Sequence, residues 1–113
     1  WTSATMYVSA SEQEAFGIGL AEALMSGLPV VASNIPAHRE VVRQAGPAAA
    51  ARLCATGTDA AEAAERFASA IAESLSTAGL REARAALCAL PTEADVVARL
   101  LDTLAAVSDC AAV

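Results

Sequence analysis

The feature that most constrains this chain is a strand-like run joined to a helix-like run through two glycines. Residues 6–9 are β-prone, residues 20–25 are rich in helix formers, and Gly17 and Gly19 lie between them. Alternating strand-like and helix-like runs favour a parallel sheet that is covered by helices. The junction therefore predicts the opening of an α/β fold.

The next segment repeats this strand–helix step. Gly27 is placed to end the first helix, and the apolar run at residues 30–32 is typical of a parallel strand that is covered on both faces. A helix at about residues 37–45 and a candidate third strand at residues 48–53 follow. We therefore expect a parallel sheet with flanking helices over residues 1–55.

The second half, residues 56–113, predicts a helical region. Asp59 and Glu62 resemble a capping box at the start of its first helix. Apolar side chains then recur every four residues on one helix face, at Phe67, Ile71 and Leu75. This helix is predicted to end at Gly79, and a second helix is predicted over residues 80–90.

A third helix is predicted after Pro91. Thr92 and Asp95 resemble another capping pair at its start. An apolar stripe follows, made of Val96, Val97, Leu100, Leu101 and Leu104. Such a stripe is expected to pack on another surface.

Composition argues against several kinds of partner and site. The net charge is −6, and the seven Lys and Arg residues form no basic stripe, so nucleic acid is not an expected partner. No uncharged apolar run of membrane-spanning length occurs, and no clustered acidic or histidine spacing predicts a metal site. The three cysteines are widely spaced and are interpreted as small buried side chains in a reducing compartment: Cys54, Cys88 and Cys110.

The glycine junction is also the best candidate for a binding site. A helix N-terminus attracts anions such as phosphate, and glycines leave its backbone N–H groups unobstructed. The spacing is not that of a dinucleotide fingerprint, because Glu22 stands three residues after Gly19, and no P-loop motif occurs. Both glycines could equally serve only a turn that needs positive φ, and the sequence leaves this alternative open.

Two carboxylates accompany the junction. If Gly19 were the N-cap, Glu22 would be the third helical residue, where it could accept hydrogen bonds from a vicinal diol or only favour the helix dipole. Glu14, in the preceding loop, could lie over a ligand at the helix N-terminus or be a solvated loop acid. Side chains at the start of the next helix are interpreted as structural or solvated: His38, Arg39 and Glu40.

Three motifs combine in this chain. They are S-x-x-E-x-F-G-x-G-x-x-E-A at residues 11–23, G-L-P-V-V-A at residues 27–32 and P-x-x-x-E-V-V at residues 36–42. The combination resembles the signature of glycosyltransferase family 4, in the glycosyl transferases group 1 set with the GT-B fold. The resemblance implies a retaining, hexosyltransferase-like enzyme that transfers a sugar from a nucleotide-diphosphate sugar to an unknown acceptor. It implies no cofactor beyond that donor. Because the sequence has no metal-ligand spacing, the site is expected to be metal-independent.

The resemblance also implies roles for individual residues. Glu22 would hold the ribose hydroxyls, and Glu14 would be the catalytic residue, contacting the donor sugar near the reacting carbon. The donor diphosphate would be bound by backbone N–H groups of the junction, in the segment Phe16, Gly17, Ile18, Gly19 and Leu20. Small departures from the family pattern occur at Ala10 and Ala15, where Pro and Gly are common.

The resemblance places this chain in the C-terminal, donor-binding domain of the GT-B fold, and it implies that the parallel sheet with flanking helices is Rossmann-like. The basic residues for the diphosphate and the N-terminal acceptor domain would lie upstream, so we expect a fragment that is inactive and poorly stable alone. We also expect a cytoplasmic protein, with any peripheral membrane attachment through the missing domain. The alternative is a non-catalytic Rossmann-like nucleotide-binding or interaction module, which the intact Glu14 and Glu22 disfavour.

Overall fold

The computed structural model describes residues 3–57 and 59–89 and, beyond them, positions 94, 97, 98, 101, 102 and 105. Three strands pair in parallel in the order β1-β2-β3, with β1 at Tyr7–Ser9, β2 at Val30–Ser33 and β3 at Ala51–Cys54. The helices are α1 at Ile18–Met25, α2 at Pro36–Ala45, α3 at Ala60–Ser74 and α4 at Thr77–Ala89. The predicted α/β class, a parallel sheet with flanking helices, is confirmed.

Strand β2 is the centre of the sheet, and all four of its residues are buried. Val30 and Ala32 belong to a core cluster with α1, whereas Val31 belongs to a cluster with α3. Successive side chains of a strand point to opposite faces, so both faces of β2 are covered. The uninterrupted apolar run predicted this burial correctly.

The larger core cluster joins α1 to the sheet. Leu20 is inaccessible to solvent and packs with Leu24, Val30 and Ala32. Burial of one leucine side chain stabilises the fold by roughly 1.5–3 kcal/mol. Gly27 has φ 71° directly after the helix C-cap, so its predicted role in ending α1 is confirmed.

The opposite face of the sheet carries α3. Phe67 and Ile71 pack against Val31 and Cys54, as the four-residue recurrence predicted. Leu75 departs from that prediction, because it lies just beyond the last residue of α3 and 42% of it is exposed. Cys54 is a buried free thiol, and burial raises its pKa.

The predicted end of α3 at Gly79 is wrong, since α3 ends at Ser74 and Gly79 lies inside α4. Ser76 Oγ accepts a hydrogen bond from the Gly79 N–H at 3.1 Å and donates one to the Glu73 carbonyl at 2.6 Å. A Cβ at position 79 would lie 2.5 Å from the Ser74 carbonyl oxygen. Glycine therefore allows the close approach of α4 to the end of α3.

The predicted third helix falls mostly outside the described residues, as do Pro91, Thr92 and Asp95. Of its apolar stripe, Val97 and Leu101 are helical and exposed, whereas Val96, Leu100 and Leu104 are not described. Among the described residues, no helix combines the length and the apolar character needed to cross a bilayer.

Candidate functional site

The carboxyl ends of the three parallel strands meet at one edge of the sheet, where Ser9, Ser33 and Cys54 end their strands. The loops that leave β1 and β2 at this edge lead into α1 and α2. In open α/β sheets, ligands bind at this edge. A cleft of about 620 Å³ lies between the two loops, lined by Glu12, Gln13, Glu14, Ala15, Ile35, Pro36 and Ala37.

Helix α1 begins at this edge without a side-chain cap. Its N-cap is Gly17, in the left-handed region with φ 64° and ψ 40°. The premise that Gly19 is the N-cap is therefore wrong, and Glu22 is the fifth helical residue and not the third. The dipole effect decays within the first turn, which weakens the purely electrostatic interpretation of Glu22. The first N–H groups of α1 have no intrahelical acceptor, and the N-cap residue supplies no side-chain acceptor.

Glycine is needed at the two positions of the junction for different structural reasons. Gly17 needs positive φ, and a Cβ there would lie 3.3 Å from Cδ2 of His38. Gly19 has no positive φ; a Cβ there would lie 2.9 Å from the hydroxyl of Tyr7. The positive-φ alternative therefore holds for Gly17 only. Gly19 permits the close approach of α1 to β1.

The predicted site residues divide between two adjoining cavities. Glu14 lines the first cleft, whereas Phe16, Ile18 and Glu22 line a groove of about 450 Å³ between α1 and α2. Ala15 and Ala37 line both cavities. Phe16 and Ile18 are largely exposed, at 77% and 64%. The side chain of Leu20 lies in the core, so only its backbone N–H is available to a ligand.

A comparison with protein families identifies the chain. The family model described as "Glycosyl transferases group 1" matches residues 1–86. The chain belongs to this glycosyltransferase family. The match spans the whole sheet, both cavities and both predicted site glutamates. Comparisons with curated proteins and with solved structures returned no match.

In this group 1 glycosyltransferase, His38 is a site neighbour that the sequence did not reveal. Its side chain is completely buried, so of the two interpretations given for His38, structural or solvated, the structure shows the structural one. Nδ1 lies 2.8 Å from the carbonyl oxygen of Ser33, and Nε2 lies 3.5 Å from Oε1 of Glu14. Both contacts come from other elements of the fold, and no local sequence signal marks them.

Two serines tie the loop that carries Glu14 to the sheet. Ser33 Oγ donates a hydrogen bond to the carbonyl oxygen of Ser11 and lies 3.3 Å from Nδ1 of His38. Ser9 Oγ donates to Ser11 Oγ at 3.2 Å. Because Ser9 and Ser33 are buried strand residues, these contacts fix the start of the loop in the candidate site.

The other two residues at the start of α2 are solvated, as interpreted. Arg39 Nη1 donates to the carbonyl and side-chain oxygens of Asn34, each at 3.0 Å. Glu40 is exposed and accepts hydrogen bonds from Arg43 and Gln44. The hydrogen bond from Arg43 is the main reason that the pKa of Glu40 is lowered to about 2. Within the described part of the glycosyltransferase, no group of three His, Cys, Asp or Glu side chains could hold a metal ion.

Proposed function

We propose that this group 1 glycosyltransferase transfers a sugar, with retention of configuration, from a nucleotide-diphosphate sugar to an acceptor. One observation carries the proposal: the uncapped N-terminus of α1 opens beside two adjoining cavities, one lined by Glu14 and the other by Glu22. The family membership supports glycosyl transfer in general. Backbone N–H groups that can bind an anion lie between two carboxylates. This arrangement fits a donor in which a diphosphate links a ribose to a sugar.

The diphosphate is assigned to the first turn of α1. The N–H groups of Ile18, Gly19 and Leu20 have no intrahelical acceptors, and the positive end of the helix dipole favours an anion there. Neither cavity is lined by Lys or Arg among its described residues. Neutralisation of a departing diphosphate therefore needs cations from outside these cavities, and we expect no transfer by this chain alone.

Glu22 is assigned to the ribose. Glu22 is an exposed residue that lines the groove between α1 and α2, past the helix end that would hold the diphosphate. A carboxylate accepts hydrogen bonds from both hydroxyls of a vicinal diol, which is the use that dinucleotide-binding folds make of an acid at a ribose.

Glu14 is assigned to the donor sugar. Its side chain is one-quarter exposed in the first cleft, so it is partly shielded from water. An ionised carboxylate beside the anomeric carbon would stabilise the positive charge that develops as the bond to the diphosphate breaks. The same carboxylate would orient a sugar hydroxyl for reaction on one face.

The ribose assignment is tested by Glu22→Ala in the full-length enzyme. We expect the affinity for the nucleotide diphosphate to fall by about 1.5–3 kcal/mol, because hydrogen bonds to a charged acceptor are lost. Titration calorimetry measures this. Glu65→Ala is the matched control, since Glu65 is also an exposed acid in the second turn of its helix. Equal affinities for the Glu22 variant and the parent would contradict the ribose role and favour the helix-dipole alternative.

The role of Glu14 is tested by Glu14→Gln in the same enzyme. We expect kcat to fall much more than donor affinity, because the charge that Glu14 stabilises develops only in the transition state. Steady-state kinetics at saturating donor measures both. A raised KM at unchanged kcat would mean that Glu14 only holds the sugar. Donor binding without any glycosyl transfer would favour the non-catalytic module.

A further inference from the structure

Two contacts fix the orientation of the His38 ring. A backbone carbonyl only accepts hydrogen bonds, so the 2.8 Å contact with the Ser33 carbonyl requires a hydrogen on Nδ1. Cδ2 of the same ring lies where a Cβ at Gly17 would be only 3.3 Å away. The ring is therefore held between β2 and the start of α1, with Nε2 pointing away from Ser33.

Nε2 of His38 meets the Glu14 carboxylate. Among the described residues, Nε2 is a buried polar atom without a hydrogen-bond partner, and Oε1 of Glu14 lies 3.5 Å from it. With its hydrogen on Nδ1, a neutral ring offers only a lone pair at Nε2, and an ionised carboxylate also offers only lone pairs. The two atoms can form a favourable contact only with one hydrogen between them. A movement of a few tenths of an ångström by the partly exposed Glu14 would give that contact hydrogen-bond length.

We propose that His38 is a positioning residue for Glu14, holding its carboxylate through one shared hydrogen at Nε2. This inference rests on the proposed function of Glu14. A ligand cannot reach Nε2 directly, since the His38 side chain has no solvent exposure, so the effect on the donor passes through Glu14. The second oxygen of Glu14 stays available to a hydroxyl of the donor sugar.

Two substitutions test the roles of the two His38 ring nitrogens separately. An Asn side chain reaches the position of Nδ1 and can still donate to the Ser33 carbonyl, whereas a Gln side chain reaches the position of Nε2 and can donate to Glu14. In the full-length enzyme, we expect His38→Asn to lower kcat roughly ten- to hundredfold, a size typical of a misplaced catalytic group, with little change in donor KM. His38→Gln should retain more of the activity. Arg39→Gln, at the exposed neighbouring position, is the control and should leave kcat unchanged.

The decisive measurement is the double variant with Glu14→Gln. If His38 acts through Glu14, then His38→Asn should cause little further loss of kcat in the Glu14→Gln background. Equal losses in both backgrounds would overturn the inference, as would full activity of His38→Asn in an enzyme that Glu14→Gln slows. Those outcomes leave the proposed function of Glu14 intact, so the two failures can be told apart.

Nitrogen NMR of histidine-labelled full-length enzyme tests the contact without any assay of activity. The His38 signals are assigned by their loss in His38→Gln. We expect Glu14→Gln to shift the Nε2 signal of His38 while the Nδ1 signal keeps the position of a nitrogen that bears hydrogen. An Nε2 signal that is the same with and without the Glu14 carboxylate would overturn the inference, even if the enzyme transfers no sugar.

Discussion

Helices α1 and α3 cover opposite faces of the same sheet, and they begin in opposite ways. At the start of α3, the Asp59 carboxylate accepts hydrogen bonds from the N–H groups of Ala61 at 2.8 Å and Glu62 at 3.3 Å. At the start of α1, Gly17 brings no side chain at all. At a capped helix start, a side chain of the same protein accepts hydrogen bonds from some of the first N–H groups. At an uncapped start, these N–H groups remain available to a ligand. The difference fits a structural role for the start of α3 and the proposed binding role for the start of α1.

Polar contacts differ between the two sides in the same sense. Both sides carry an exposed ion pair that water screens strongly, Arg66 with Glu62 at 2.9 Å on the α3 side and Arg43 with Glu40 at 2.6 Å on α2. The α1 side buries a histidine whose two ring nitrogens face Ser33 and Glu14. Burial of a polar group costs stability unless the group is hydrogen-bonded. The stability of the fold therefore depends on the contacts of the buried histidine with Ser33 and Glu14.

Gly17→Ala should have the largest effect, because it breaks the uncapped helix end itself. An alanine in the left-handed region costs about 1–2 kcal/mol of stability, and its Cβ would press on the His38 ring. Gly46→Ala is the matched control: Gly46 also has positive φ, but nothing lies within 4 Å of its Cβ position. We expect both variants of the full-length enzyme to melt at lower temperature.

Only the Gly17 variant should also lose donor affinity and turnover, measured well below both melting temperatures. Equal activities of the Gly17 and Gly46 variants would show that Gly17 is needed only to avoid backbone strain and not for donor binding. The contrast between a binding start of α1 and a structural start of α3 would then fail.

Much of this fold follows from local patterns. The buried run of β2, the glycine after α1 and the Asp59 cap are each fixed by residues close together in the chain. One wrong prediction was decided by a contact between distant residues: Gly19 looked like a helix start, but its role is to let α1 approach Tyr7 of β1. Gly79 looked like a helix end, although Ser76 directly before α4 carried the correct signal.

The candidate site was predictable to a similar degree. The positions of Glu14 and Glu22 near a helix N-terminus follow from one strand–helix junction, and the motif at residues 11–23 spans this junction and most of α1. The contact between His38 and Glu14 could not be derived in that way, because it joins the β1–α1 loop to α2 across the carboxyl end of the sheet. A histidine beside Arg39 and Glu40 in a helix start carries the same local signal whether it is buried or solvated.

Asp59→Ala should have an intermediate effect, confined to stability. It removes the acceptor of two backbone N–H groups, and loss of such a cap typically costs about 1 kcal/mol. Thermal or chemical unfolding of the full-length enzyme measures the loss, and calorimetry with the nucleotide diphosphate should give unchanged affinity. Weaker donor binding by this variant would mean that the two faces of the sheet are coupled, contrary to the contrast between α1 and α3.

Glu40→Gln should have the smallest effect, and its pH dependence has a definite sign. The pKa of Glu40 is lowered from 4.5 to about 2 in the folded protein, mainly by the hydrogen bond from Arg43. A lowered folded-state pKa means that the pair stabilises the fold fully above pH 4.5 and loses this contribution as pH falls towards 2. The side chains of Glu40 and Arg43 are 50% and 72% exposed, so water and salt screen the pair and keep the contribution small. The parent and Glu40→Gln should therefore differ slightly in melting temperature at neutral pH and low salt, and converge as the pH approaches 3. A difference that grew on acidification would mean that Glu40 is stabilised in its protonated form, and that the contact between Glu40 and Arg43 is more than a solvated ion pair.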